Sequence, residues 1–133
     1  MRHSFVGMWA IFGAVLAVAP AWAHHSFAAE YDSKKPVKLT GTVTKIDWMN
    51  PHVYFFIDVE SENGNVANWG FEMGPPNGLQ RQGWTKSTMK VGDVVVVEGT
   101  LAKDGSNQGN ARSVTMASTG KKLGAASSEN TTP

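Results

Sequence analysis

From Val37 onward, apolar and polar residues alternate with a period of two, the spacing of a strand with one buried face. Val37, Leu39, Gly41 and Val43 fall on one side, and Thr40, Thr42 and Thr44 on the other. The apolar parity then slips by one residue to Ile46 and Trp48. Such a slip predicts a β-bulge, which sharpens twist and helps a sheet close. Asn50-Pro51 ends this first strand. A second strand is predicted over 52–60, with Val53, Phe55, Ile57 and Val59 facing one way and Tyr54 and Phe56 the other. Asn63-Gly64 supplies the turn chemistry of a hairpin. A third strand over 66–73 alternates Ala67, Trp69, Phe71 and Met73 against Asn68, Gly70 and Glu72.

Pro75-Pro76-Asn77-Gly78 breaks the pattern, and residues 79–83 suit one or two helical turns, with Trp84 packing over an open end of the sheet. Strand four, over 94–101, is a nearly unbroken apolar run, as expected of a central strand. Residues 103–107 form a turn and 111–116 a fifth strand, with Lys121, Lys122 and Leu123 as a short further edge. The reading is all-β: a small five-stranded OB-like barrel with a short helical insertion between strands 3 and 4. An open sandwich is the alternative. Val43, Ile57, Val59, Val95, Val97 and Val114 are the expected core, with Val37 nearer its end.

Outside this block the patterning changes. Residues 1–23 hold a short positive start at Arg2, an apolar run from Phe5 to Val18, and Ala21 and Ala23 at the −3 and −1 positions of a small-x-small cleavage site. That is the layout of a secretory signal peptide, and its apolar run is short for a membrane span. Residues 24–36 are polar and irregular, an N-terminal extended segment with Phe27 and Tyr31 as anchors onto the domain at 37–123. Residues 124–133 are small and polar, the composition of a disordered tail.

The chain has 133 residues, and cleavage after Ala23 leaves 110, enough for one modest core. The full chain carries 12 Lys and Arg against 11 Asp and Glu; Arg2 leaves with the signal, so the mature chain is neutral. Neutrality argues against nucleic acid, whose binding needs a clustered basic surface, and against a polybasic hold on membranes. With no cysteine, any metal must be held by His, carboxylate, Met or backbone ligands. The expected product is a periplasmic monomer, free of the membrane after cleavage, with a periplasmic protein or a small molecule as partner.

Several short motifs stand out together: His24-His25-Ser26-Phe27-Ala28, Gly41-Thr42-Val43, Asn50-Pro51-His52, Gly83-Trp84, Gly92-Asp93 and Ala102-Lys103-Asp104-Gly105-Ser106. They resemble a family of small exported bacterial proteins that carries a domain-of-unknown-function label. The resemblance implies a periplasmic, single-domain β-barrel and assigns no activity.

The mature chain has three histidines, His24, His25 and His52. Cleavage gives His24 a free α-amine, which with its own ring forms a two-nitrogen chelate. One further imidazole, from His52 or His25, completes the parts of a copper histidine brace. Nitrogen donors suit Cu(II), and Met49 or Met73 would suit Cu(I). The plainer alternative is a solvated His-His terminus and a His52 that caps a turn. A second candidate is an aromatic ligand surface of Trp48, Tyr54, Trp69 and Trp84, with Glu72 as a pocket acid or, more simply, an outward-facing carboxylate. No nucleophile elbow or phosphate-binding loop is present, so catalytic residues are not assigned and the chain reads as a binding protein, not an enzyme. The functional reading is copper, or a similar transition metal, bound through the processed N-terminus; the alternative is a metal-free module using the aromatic face.

Overall fold

The computed structural model describes residues 29–126. His24, His25 and Phe27, together with the expected signal peptide and residues 127–133, lie outside the described residues. Six strands and one helix follow in order: β1 Tyr31–Asp47, β2 Tyr54–Glu60, β3 Val66–Glu72, α1 Pro76–Arg81, β4 Val94–Ala102, β5 Gln108–Met116 and β6 Lys122–Gly124.

The pairings form a ring. The sheet order is β3-β2-β1-β4-β5-β6, and β3 also pairs with β5. That last contact is parallel, with Phe71 opposite Gly109 and Glu72 opposite Asn110; the other pairings are antiparallel. β1 serves two neighbours in turn. It runs beside β4 from Tyr31 (opposite Ala102) to Thr42 (opposite Val94), then beside β2 from Thr42 to Asp47. The handover comes with the bulge that the parity slip predicts: Val43 faces Ile57, but Lys45 faces Phe56. Gly41 makes the bend possible, since a Cβ there would sit 2.5 Å from the Asp58 carbonyl oxygen.

Inside the ring, Val43, Ile57, Val95, Val97 and Val114 are buried, as their period-two placement requires. Each contributes about 1.5–3 kcal/mol through burial. Val59, Val37 and Leu39 pack against this core while partly exposed. Phe55 and Phe71 stack at its centre, ring centroids 5.6 Å apart. The Ser61–Asn65 hairpin turns through Gly64 at φ +83°, which L side chains rarely adopt.

Several boundaries differ from the sequence expectation. The helix spans Pro76–Arg81, three residues ahead of the expected start at 79, because proline is tolerated in a first turn whose amides have no partner within the helix. β1 begins at Tyr31, six residues before Val37, because Asp32 to Pro36 lies along β4 as an irregular stretch that carries no alternation to read. β2 begins at Tyr54, leaving His52 just ahead of it. β5 starts at Gln108, where its closing partner is β3, not β4 alone. Finally, Gly124 belongs to β6, and Ala125 is fully buried, its backbone bonded to Arg112 and Gly74; these residues are not tail. No described helix is long and apolar enough to cross a membrane.

Candidate functional site

The β2–β3 register places Tyr54 opposite Glu72. The pairing continues past both strands: the Met73 amide donates to the Val53 carbonyl (2.8 Å) and the Val53 amide to the Gly74 carbonyl (3.1 Å). His52 and Tyr54 therefore stand two residues apart on the side of the sheet that carries Glu72, turned away from Phe71 and Met73 in the core. The His52 Nδ1–H donates to Glu72 Oε1 at 2.5 Å. From the far end of the chain's first strand, the Tyr31 hydroxyl donates to Glu72 Oε2 at 2.6 Å. One carboxylate thus ties together β1, β3 and the segment entering β2.

This covering buries Glu72 to 8% exposure, so the pocket-acid alternative describes it and the outward-facing one does not. Among the described residues its ionic partner is His52 alone. Burial, the Glu72 hydrogen bond and the negative charge of Glu72 and Glu30 push the Tyr31 hydroxyl well above the usual phenol range. Burial first, then the charge of Glu72 and Glu30, raises Tyr54 as well. Both phenols are thereby held protonated, as donors. Because the Nδ1 position is committed to Glu72, a neutral His52 carries its lone pair on Nε2.

Beside Glu72 lies a cavity of about 430 Å³. Its walls come from Glu30 and the first residue of β1, Tyr31, from Tyr54 and Glu72, from Lys103 and Asp104 in the β4–β5 turn, and from Gln108 at the start of β5. The Lys103 amide donates to the Glu30 carbonyl (2.8 Å), which fastens that turn to the start of β1. Asp104 accepts from the Ser106 amide (2.9 Å) and hydroxyl (2.6 Å), which hold its carboxyl below the usual range and shape the turn.

Of the residues singled out from sequence, the fold brings Tyr54, Glu72 and His52 together. The tryptophans go elsewhere. Trp84 is 1% exposed, with its indole N–H bonded to the Gly124 carbonyl (2.8 Å); it is core, not ligand surface. Trp48 and Trp69 pack half-buried against the core, and none of the three lines the cavity. Of the expected aromatic face, Tyr54 lines the cavity, Trp84 is withdrawn into the core, and Trp48 and Trp69 stay half-buried outside it. Met73 is likewise core, and Met49 is exposed. Among the described residues, no group of three His, Asp or Glu side chains is placed to hold a metal. The residue that sequence reasoning undervalued is Tyr31, visible there only as an aromatic anchor in a polar stretch.

Fold and site together define a small all-β protein whose ring of strands carries one buried carboxylate, Glu72, beside a polar cavity. The chain belongs to the family of unknown function DUF6152, whose sequence model matches residues 13–112. A comparison with curated proteins gave no match.

Proposed function

We propose that the protein is an exported, periplasmic OB-type barrel that binds copper, or a similar late transition metal, between its processed N-terminus and His52. The role is binding, not catalysis. Support for the OB assignment is the strand order β1-β2-β3-β5-β4 and back to β1, with the helix between β3 and β4. Support for export is the apolar run of the first 23 residues with Ala21 and Ala23 before His24.

The observation that carries the metal reading is the Glu72 carboxylate on His52 Nδ1. Metal-binding histidines commonly donate their second ring N–H to a carboxylate, which fixes the tautomer and makes the other nitrogen a better ligand. His52 has that arrangement, with Nε2 left for a metal. The same carboxylate anchors Tyr31, and His24 is seven residues upstream, a span of at most about 25 Å when extended. The α-amine and ring of His24, with Nε2 of His52, supply nitrogen donors of the kind Cu(II) prefers. His25 is the further candidate ligand.

Two measurements test this. Intact mass of protein from the native envelope should show cleavage between Ala23 and His24; a retained segment removes the free amine and with it the site. Copper titration of protein beginning at His24 should give an affinity that falls at least tenfold in His52→Ala and in a variant with one residue added before His24. Glu72→Gln should fall about 10–100-fold, the usual cost of losing a residue that orients a ligand. If His52→Ala binds as tightly as the parent, the terminal His-His peptide alone holds the metal and the proposal fails. A metal-free binding role has its own support in the cavity beside Glu72.

A further inference from the structure

We infer that the cavity beside Glu72 binds a small organic cation, a primary amine or guanidinium compound, without any metal. This rests on the metal-free reading of the site and is independent of the N-terminal histidines.

The argument starts from charge. Glu72 is over nine-tenths buried, and among the described residues no Lys or Arg lies within ion-pair distance of it. A buried carboxylate whose one ion-pair partner is a titratable histidine is costly unless hydrogen bonds and an opposite charge compensate. Tyr31 and His52 supply hydrogen bonds, and His52 carries a positive charge only when protonated; among the described residues no permanently charged side chain answers Glu72. The cavity walls repeat the bias, with Glu30, Glu72 and Asp104 against Lys103 alone. Of these, Asp104 is engaged by Ser106, and Glu30 is exposed at the rim.

Shape and chemistry narrow the class. At about 430 Å³ the cavity sits toward the small end of the usual range for ligand sites, so it suits a compact molecule. Tyr31 and Tyr54 are among the lining residues, and aromatic rings attract ammonium and guanidinium groups. Glu72 accepts from Tyr31 and His52 and also has the Tyr54 hydroxyl within hydrogen-bonding reach, and a carboxylate can accept about four hydrogen bonds in all. The Gln108 side chain adds a neutral donor and acceptor to the lining. An anion would meet three carboxylates, and a neutral polyol would leave the charge unanswered.

The test uses mature protein kept in EDTA, so copper cannot contribute. Putrescine, arginine amide and tetramethylammonium are titrated one at a time and followed by heteronuclear NMR, with glucose and succinate as neutral and anionic controls. At least one amine should give saturable shifts at the Tyr54, Lys103 and Gln108 amides. Its affinity should drop about tenfold in Glu72→Gln and several-fold in Glu30→Gln. Three results would overturn the inference: no saturable shift with any amine at millimolar concentration, equal or tighter binding of glucose or succinate, or unchanged amine affinity in a folded Glu72→Gln. If Glu72→Gln does not fold, the surface variant Glu30→Gln decides alone, and unchanged affinity there overturns it. Amine binding that survives when His52→Ala leaves copper affinity intact separates this cavity from the metal proposal.

Discussion

Two buried polar side chains on different strands, Glu72 on β3 and Thr100 on β4, are treated very differently by the fold. Glu72 is covered but engaged, its oxygens accepting from Tyr31 and His52. Thr100 on β4 is 1% exposed, and its hydroxyl has no hydrogen-bond partner among the described residues. A hydroxyl removed from water without a partner costs free energy that an apolar group of the same shape does not. Thr100→Val should therefore leave stability unchanged or raise it by about 1 kcal/mol, read from urea denaturation midpoints. A loss larger than that would mean the hydroxyl is bonded in solution. The contrast also separates roles: the Glu72 carboxyl holds Tyr31 and His52 in place, whereas the Thr100 hydroxyl holds nothing among the described residues.

The elements differ in how firmly they are tied in. β1 is held along its whole length by β4 and then β2, whereas β6 has three residues and a single partner strand. At the surface, Glu98 on β4 helps secure that edge: it accepts from the Lys122 ammonium (2.9 Å) and the Ser113 hydroxyl (3.1 Å), with Lys38 at 4.0 Å. These partners, Lys122 first, hold the Glu98 carboxyl below its ordinary value of 4.5. A depressed folded-state pKa means the contribution is complete above the ordinary value and is lost as pH falls through the lowered one. Below pH 4.5, amide protection across Lys122–Gly124 should decline before that of β4, while the rest of the ring holds. In Glu98→Gln the same amides should start less protected and show no such acid-dependent decline. Equal acid sensitivity in both proteins would place the titrating group elsewhere.

At the scale of the whole molecule, the parallel β3–β5 contact decides whether the sheet is an open strip or a ring. It depends on a close approach at Gly109, where a Cβ would meet the Thr100 carbonyl oxygen at 2.8 Å and the Phe71 ring at 2.9 Å. Neither can yield easily, one being backbone and the other the centre of the core. Gly109→Ala should cost about 2 kcal/mol or more, with the loss focused on ring closure. Gly78→Ala makes the matching control. It lies in α1 with ordinary contacts to Pro75 (3.5 Å) and no positive φ, so alanine should gain about 0.5–1 kcal/mol there. If the two substitutions had equal effects, the closure would not be a point of strain.

Along the chain, the alternation from Val37 to Ile46, including its slip, records which way successive side chains turn, and that is a local property of the strand. The bulge, the Asn63-Gly64 hairpin and the buried valines were legible for this reason, because each depends on neighbours within a few residues; a helix after β3 was legible too, but its start at Pro76 read as a break in the pattern. The start of β1 was not, since Asp32 to Pro36 is held by backbone bonds to β4 and shows no side-chain pattern. Nor was the burial of Ala125, which small size alone disguised as tail. Glu72 is the sharpest case. Alternation with Phe71 says that it leaves the core, yet Tyr31, 41 residues away, and His52 cover it once the ring closes. Which residues share a face is written locally; what lies over that face depends on contacts between distant segments, whose loop-closure cost is offset only by the finished core, and so the cavity and its carboxylate belong to the tertiary structure.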